Sequence, residues 1–189
     1  NPAANTWDTE SLPALGAIVE ALNADDQIYA LVLTGAGEKF FSAGADLKLF
    51  ADGDPETARV MGEAFGAAFE ALSDFRGVSV AAINGFAMGG GLEVAMACDI
   101  RVVETQAKLA LPEATVGLLP CAGGTQRLTQ LVGQGWAKRM ILCGERISAD
   151  KALAIGLVEE VVATGEALAV ATRLATSAGA QSPTSVTAC

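Results

Sequence analysis

Hydrophobic positions along the chain follow two alternating patterns: short unbroken apolar runs, and longer stretches with an apolar residue every third or fourth position. The first predicts strands covered on both faces, the second amphipathic helices packed against them. After Asp8-Thr9, Leu12, Leu15, Ile18, Val19 and Leu22 share one helical face, and Pro13 falls early enough in the helix to be tolerated. Residues 30–34 (ALVLT) are a continuous apolar strand ending in Gly35-Ala-Gly37. Asp54-Pro55 starts a long helix, a capping side chain followed by a residue that fits the first turn, and Met61, Phe65, Ala68, Phe69 and Leu72 form its buried stripe. Residues 78–83, 100–103 and 108–111 read as further strands, the last stopping at Pro112-Glu113. Helices are expected from Gly123 onward, over 136–143, behind a Ser148 cap to Ile155, and over 166–177, with a short strand at 157–162. Ser182-Pro183 opens a last element. Strands alternating with helices predict an α/β layered fold.

One stretch departs from both patterns. Residues 84–99 (NGFAMGGGLEVAMACD) leave a β-branched run, pass three glycines at Gly89 to Gly91, and enter an apolar segment holding a single carboxylate, Glu93. Glycines at a helix mouth let a ligand approach bare backbone N–H groups at the positive end of the helix dipole, where developing negative charge is stabilised. A carboxylate between apolar neighbours needs a reason to be there. Two other stretches have a similar character. Ser42-Ala-Gly-Ala-Asp46 is a turn of small residues that allows the Ala45 N–H to face a ligand, and Pro112-Glu113 places a second carboxylate at a strand end.

Composition narrows the chemistry. The chain has no histidine, so Ser–His–Asp and Cys–His catalysis and imidazole bases are excluded, and acid–base work falls to carboxylates, Tyr29, lysines or cysteines. A net charge of −10 argues against a nucleic-acid partner but leaves room for a phosphorylated small molecule held by local cations. The four cysteines, Cys98, Cys121, Cys143 and Cys189, form no CxxC pair and read as free thiols of a reducing compartment. No apolar run reaches membrane-spanning length and no basic leader is evident, so a cytoplasmic location is expected. With 51% hydrophobic residues and neither repeats nor a linker, the chain is expected to form one compact unit.

Taken together, residues 84–100, Leu31-Val-Leu-Thr-Gly-Ala-Gly37, Phe41-Ser-Ala-Gly-Ala-Asp-Leu47, Pro112-Glu113, Gly117-Leu-Leu-Pro120 and Ala122-Gly-Gly-Thr-Gln-Arg127 resemble the signature of the enoyl-CoA hydratase/isomerase (crotonase) family. Gly144-Glu-Arg-Ile-Ser-Ala149 and Gly156-Leu-Val158 extend the match, in family order, over nearly the whole chain. The resemblance implies a β-β-α superhelix with C-terminal helices, lacking a first strand and most of those helices. It divides the chain into a core over 1–145 and the start of the helical region over 146–189. It also implies an oxyanion hole from the amides of Ala45 and Gly90, and an acid–base pair of Glu93 and Glu113. Ala43, Asp46, Leu47, Lys48, Gly89 and Cys121 fall at substrate-binding positions, and Lys48 lies where a coenzyme A phosphate can reach it.

Several positions depart from the family pattern. Leu111 precedes Pro112-Glu113 where many hydratases have Gln, Cys121 replaces a common Gly, and Arg76-Gly-Val-Ser79 stands where Lys-Pro is frequent. The implied activity is hydration of a 2-enoyl-CoA thioester in acyl-CoA degradation, without metal or separate cofactor, by a homotrimer or dimer of trimers. An enoyl-CoA delta-isomerase and a non-catalytic acyl-CoA-binding protein are the alternatives. A Clp-type protease is excluded for want of histidine, and a dinucleotide fingerprint is incomplete, since Gly35-Ala-Gly37 has no third glycine at the required spacing. Met61, Phe65, Phe86 and Leu118 are candidates for the pocket wall.

Overall fold

The structure, a computed structural model, describes residues 4–51 and 53–188. In chain order the elements are β1 (Thr6–Trp7), α1 (Ser11–Ala24), β2 (Ala30–Thr34), β3 (Phe40–Ser42), β4 (Gly44–Ala45), a 3-10 turn (Leu47–Phe50) and α2 (Pro55–Ser73). There follow β5 (Val78–Ile83), β6 (Phe86–Met88), α3 (Gly90–Ala97), β7 (Ile100–Glu104), β8 (Lys108–Ala110), a second 3-10 turn (Glu113–Val116) and α4 (Gly124–Leu142). The chain closes with β9 (Ile147–Ser148), α5 (Ala149–Ala154), β10 (Glu160–Val162), α6 (Ala167–Gly179) and α7 (Pro183–Ala188).

Two four-stranded sheets carry the fold. One is parallel throughout, in the order β10-β7-β5-β2; the other runs β3-β6-β8-β9, parallel except where β9 pairs antiparallel with β8. A small parallel pair, β1 and β4, lies beside them. Each repeat places a strand in the first sheet and the next in the second, so the chain winds forward as a ladder of paired turns. Strand β2 is at the sheet edge and only half-buried, which departs from the expectation of cover on both faces.

Helix α2 follows its sequence pattern closely. Asp54 accepts the Glu56 N–H at 3.0 Å, Pro55 occupies the first turn, and the buried residues are Met61, Phe65, Ala68, Phe69 and Leu72. The ring of Phe69 meets Trp7 on one side and Phe65 on the other, with centroids 5.6 and 5.5 Å apart and both pairs edge to face. This aromatic row runs from the core to the wall of the cleft described below.

Helix α3 is buried at all eight positions, which is why its sequence is apolar on every side. Its far end is pinned by Asp99, whose Oδ2 accepts both the N–H and the hydroxyl of Ser79 at 2.7 Å. Asn84 holds the glycine loop after β2. Its side chain donates to the carbonyls of Gly35 and Gly37 and accepts the Gly35 N–H. That loop is therefore a braced corner of the fold. Helix α4 merges the two helices expected from the sequence, with Gly133 at φ 74° and ψ 164° breaking the regular geometry between them. Cys98 is buried, whereas Cys121 and Cys143 are exposed; all three are free thiols, and Cys189 lies outside the described residues.

Candidate active site

The site forms where three backbone corners converge. At the first, Ser42 Oγ donates to the Asn5 carbonyl at 2.7 Å and accepts the Gly44 N–H at 3.1 Å, fixing the step between β3 and β4. Gly44 then turns at φ +84°, and a Cβ there would lie 2.7 Å from the Met88 carbonyl and 2.9 Å from the Gly90 nitrogen. Only glycine lets the Ala45 corner approach the mouth of α3 so closely. Gly90 is the first residue of α3, so its N–H has no acceptor within the helix, while Leu92 and Glu93 already donate to the Gly89 carbonyl.

Glu93 projects from the first turn of α3 and is 3% exposed. Its Oε1 accepts the Ala122 N–H at 2.9 Å and the Gly124 N–H at 2.8 Å, the second from the opening residue of α4. Burial raises its pKa, and the two amides and the nearby positive charge of Arg127 oppose that rise. Glu113 opens the second 3-10 turn directly after β8. Its Oε2 is buried with no hydrogen-bond partner, and its pKa is pushed up to about 7, chiefly by burial and further by the charge of Glu93. Two acids of the same type thus sit in different settings: one oxygen of Glu93 is held by a pair of amides from another part of the chain, while Oε2 of Glu113 has no partner and its carboxyl holds its proton longer.

Both carboxyl groups border one cavity of about 520 Å³ between α2 and the loop 117–121. Ala45 lies on its wall, and Phe65, Gly62, Leu118 and Cys121 supply much of the rest. The Cys121 thiol has its pKa pushed up to about 11, by burial first and then by Glu93 and Glu113, so it is a neutral wall group at ordinary pH. A second cavity of about 250 Å³ shares Ala45, Glu113 and Leu118 with the first and continues past Ala43, Gly89 and Arg146. Together they make one cleft with two arms that meet at Ala45 and Glu113. Gly89, at φ +55°, adjoins the junction, and a Cβ there would be 2.9 Å from Glu113 Oε1.

The predicted site residues therefore divide. Glu93, Glu113, Ala45, Cys121, Ala43, Gly89 and Leu47 line the cleft, and Gly90 stands at the helix mouth beneath it. Asp46 instead caps the first 3-10 turn, accepting the Lys48 N–H at 3.1 Å, and neither Asp46 nor Lys48 borders either arm. Of the wall candidates, Phe65 and Leu118 line the cleft, whereas Met61 is a core residue of α2 and Phe86 packs edge to face on Phe40. The amides of Ala122 and Gly124 are an addition that the sequence signals only weakly, through another glycine pair at a helix start. Among the described residues no group of His, Cys, Asp or Glu is placed to hold a metal ion.

The family model for enoyl-CoA hydratase/isomerase matches residues 1–189. The chain belongs to the enoyl-CoA hydratase/isomerase family. It is 39% identical over 184 residues to the short-chain-enoyl-CoA hydratase of Clostridium acetobutylicum, covering 97% of this chain and 70% of that one. Among solved structures it is similar to Pseudomonas aeruginosa DspI, with a TM-score of 0.97 and 65% identity, over 100% of this chain and 77% of the other. An enoyl-CoA hydratase from Bacillus anthracis superposes with a TM-score of 0.93 at 40% identity, covering 97% of this chain and 71% of its own. The α/β crotonase fold expected from the sequence is thus the fold of the chain. No helix among the described residues is long and apolar enough to cross a membrane.

Proposed function

We propose that the protein hydrates 2-enoyl-CoA thioesters, with Glu93 and Glu113 as the acid–base pair and the amides of Ala45 and Gly90 as the oxyanion hole. The observation that carries this reading is that both carboxyl groups face one apolar cavity, beside Ala45, with opposite hydrogen-bonding status. Hydration requires a water oxygen at the β-carbon and a proton at the α-carbon. With Oε1 held by two amides, Glu93 has its second oxygen left to orient a water and take its proton as the new C–O bond forms. Glu113, neutral up to about pH 7, gives its proton to the α-carbon. Negative charge that gathers on the thioester oxygen between these steps is stabilised by the two amides, each such donor being worth on the order of 10²–10³ in rate.

Coenzyme A enters as part of the substrate, and no separate cofactor takes part. In this reading residues 1–145 carry the reacting groups and residues 146–189 begin the helical region. The protein works in the cytoplasm as a homotrimer or a dimer of trimers, a state that light scattering measures directly. The activity itself is tested with conjugated and unconjugated enoyl-CoA thioesters. Loss of the conjugated absorbance of a 2-enoyl substrate in water is the expected result. Its appearance from a 3-enoyl substrate, with no loss from the 2-enoyl one, makes the protein an isomerase; binding without turnover of either makes it an acyl-CoA-binding protein.

A further inference from the structure

The two arms of the cleft differ in charge at their mouths. At the arm beside α2, the lining residue Arg59 bonds Glu63 on the same wall and Glu56 a turn away, so its guanidinium is already neutralised. At the other arm the only cation is Arg146, and it has no ion-pair or hydrogen-bond partner among the described residues. The acid next to it in sequence is already engaged: Glu145 is held in a two-point pair by Arg139, at 2.7 and 2.8 Å. The turn into Arg146 is fixed as well, since Gly144 sits at φ +61° with its Cβ position 2.9 Å from Thr115 Cγ2, on the wall of the same arm. In a chain of net charge −10, an unpartnered guanidinium at a cleft mouth favours an anion.

We infer that Arg146 receives the phosphate-bearing end of the coenzyme A moiety and so orients the thioester, with the acyl tail directed into the arm beside α2. This inference rests on the acyl-CoA reading of the cleft. It makes Arg146 a positioning residue, acting on the part of the substrate remote from the reacting carbons.

The test compares wild-type protein with Arg146→Gln and Arg146→Lys on crotonyl-CoA and on crotonyl-pantetheine, which lacks phosphate, and measures binding of free coenzyme A by calorimetry. Arg146→Gln is expected to raise KM for crotonyl-CoA and the Kd of coenzyme A by roughly tenfold, what one exposed charge-assisted contact supplies, with kcat held within about threefold. KM for the pantetheine thioester is expected to stay unchanged, and Arg146→Lys to recover part of the loss. An equal rise for both substrates, or no rise for either, overturns the inference. Binding of coenzyme A that depends on Arg146, in a protein that hydrates neither thioester, leaves the inference standing and removes the hydratase reading. Hydration with unchanged selectivity in Arg146→Gln does the reverse.

Discussion

Replacing Glu113 by Gln removes a titrating group whose folded-state pKa, about 7, lies well above the usual carboxylate value of 4.5. Because the folded protein holds this proton more tightly than the unfolded chain, the group lowers stability as pH rises. Below the unfolded value both states are protonated and nothing is lost; between the two values the unfolded chain ionises first; above about pH 7 the full penalty applies. That gap corresponds to about 3 kcal/mol, which for a chain of this size is roughly 6–12 °C in Tm. Gln carries a fixed cost of about 1–3 kcal/mol for a buried polar group without a partner, and this cost does not change with pH. Wild type and Glu113→Gln are therefore compared by thermal unfolding near pH 4 and near pH 8.5, where the variant is expected to gain about 3 kcal/mol relative to wild type on going to alkali. The same ionisation sets an alkaline limb near pH 7 in kcat/KM of the wild type, and turnover of the variant is expected to fall at least about a hundredfold. Parallel stability curves across this range would refute the account of Glu113 as an acid whose partly buried carboxyl holds its proton in the folded state.

Two further outcomes follow from the backbone corners. Gly89→Ala is strained at φ +55° and sets a methyl 2.9 Å from Glu113 Oε1, so kcat is expected to drop at least about tenfold and stability by roughly 1–2 kcal/mol; unchanged kcat would show that Glu113 does not need this approach. Asp99→Ala unpins Ser79 from the end of α3 and is expected to cost about 1–3 kcal/mol in urea unfolding while kcat/KM stays within about threefold, and a larger loss of activity than of stability would contradict its purely structural role.

The local rules of the chain made much of the fold legible. Asp54-Pro55 and the stripe from Met61 to Leu72 describe α2 because capping and a 3.6-residue period act within one element. Strand β6 has no signal in the sequence because Phe86–Met88 is three residues between glycines, too short for a period to show, and it exists through pairing with β3 and β8. The two helices expected around 123–143 are two helical stretches meeting at a kink, where Gly133 takes the non-helical φ 74° and ψ 164°. At the site, Glu93 is marked in sequence as a carboxylate among apolar residues and Glu113 as one at a strand end after Pro112, and both border the cleft. Lys48 and Arg146 show where that reasoning ends. Lys48 neighbours the Ala45 turn in sequence but not the cleft walls, whereas Arg146 reaches the second arm only because β9 folds back antiparallel on β8. Proximity made by strand pairing leaves no local trace.

Glu93 and Glu113 are proposed to act as a unit on one acyl group, and a double-mutant cycle on hydration of crotonyl-CoA measures their coupling. Glu93→Gln and Glu113→Gln are each expected to lower kcat at least about a hundredfold, and the double variant to be no more than about tenfold below the weaker single variant, since removing either group already disables the pair. Losses that multiply in full would mean two independent sites of action and would contradict the claim.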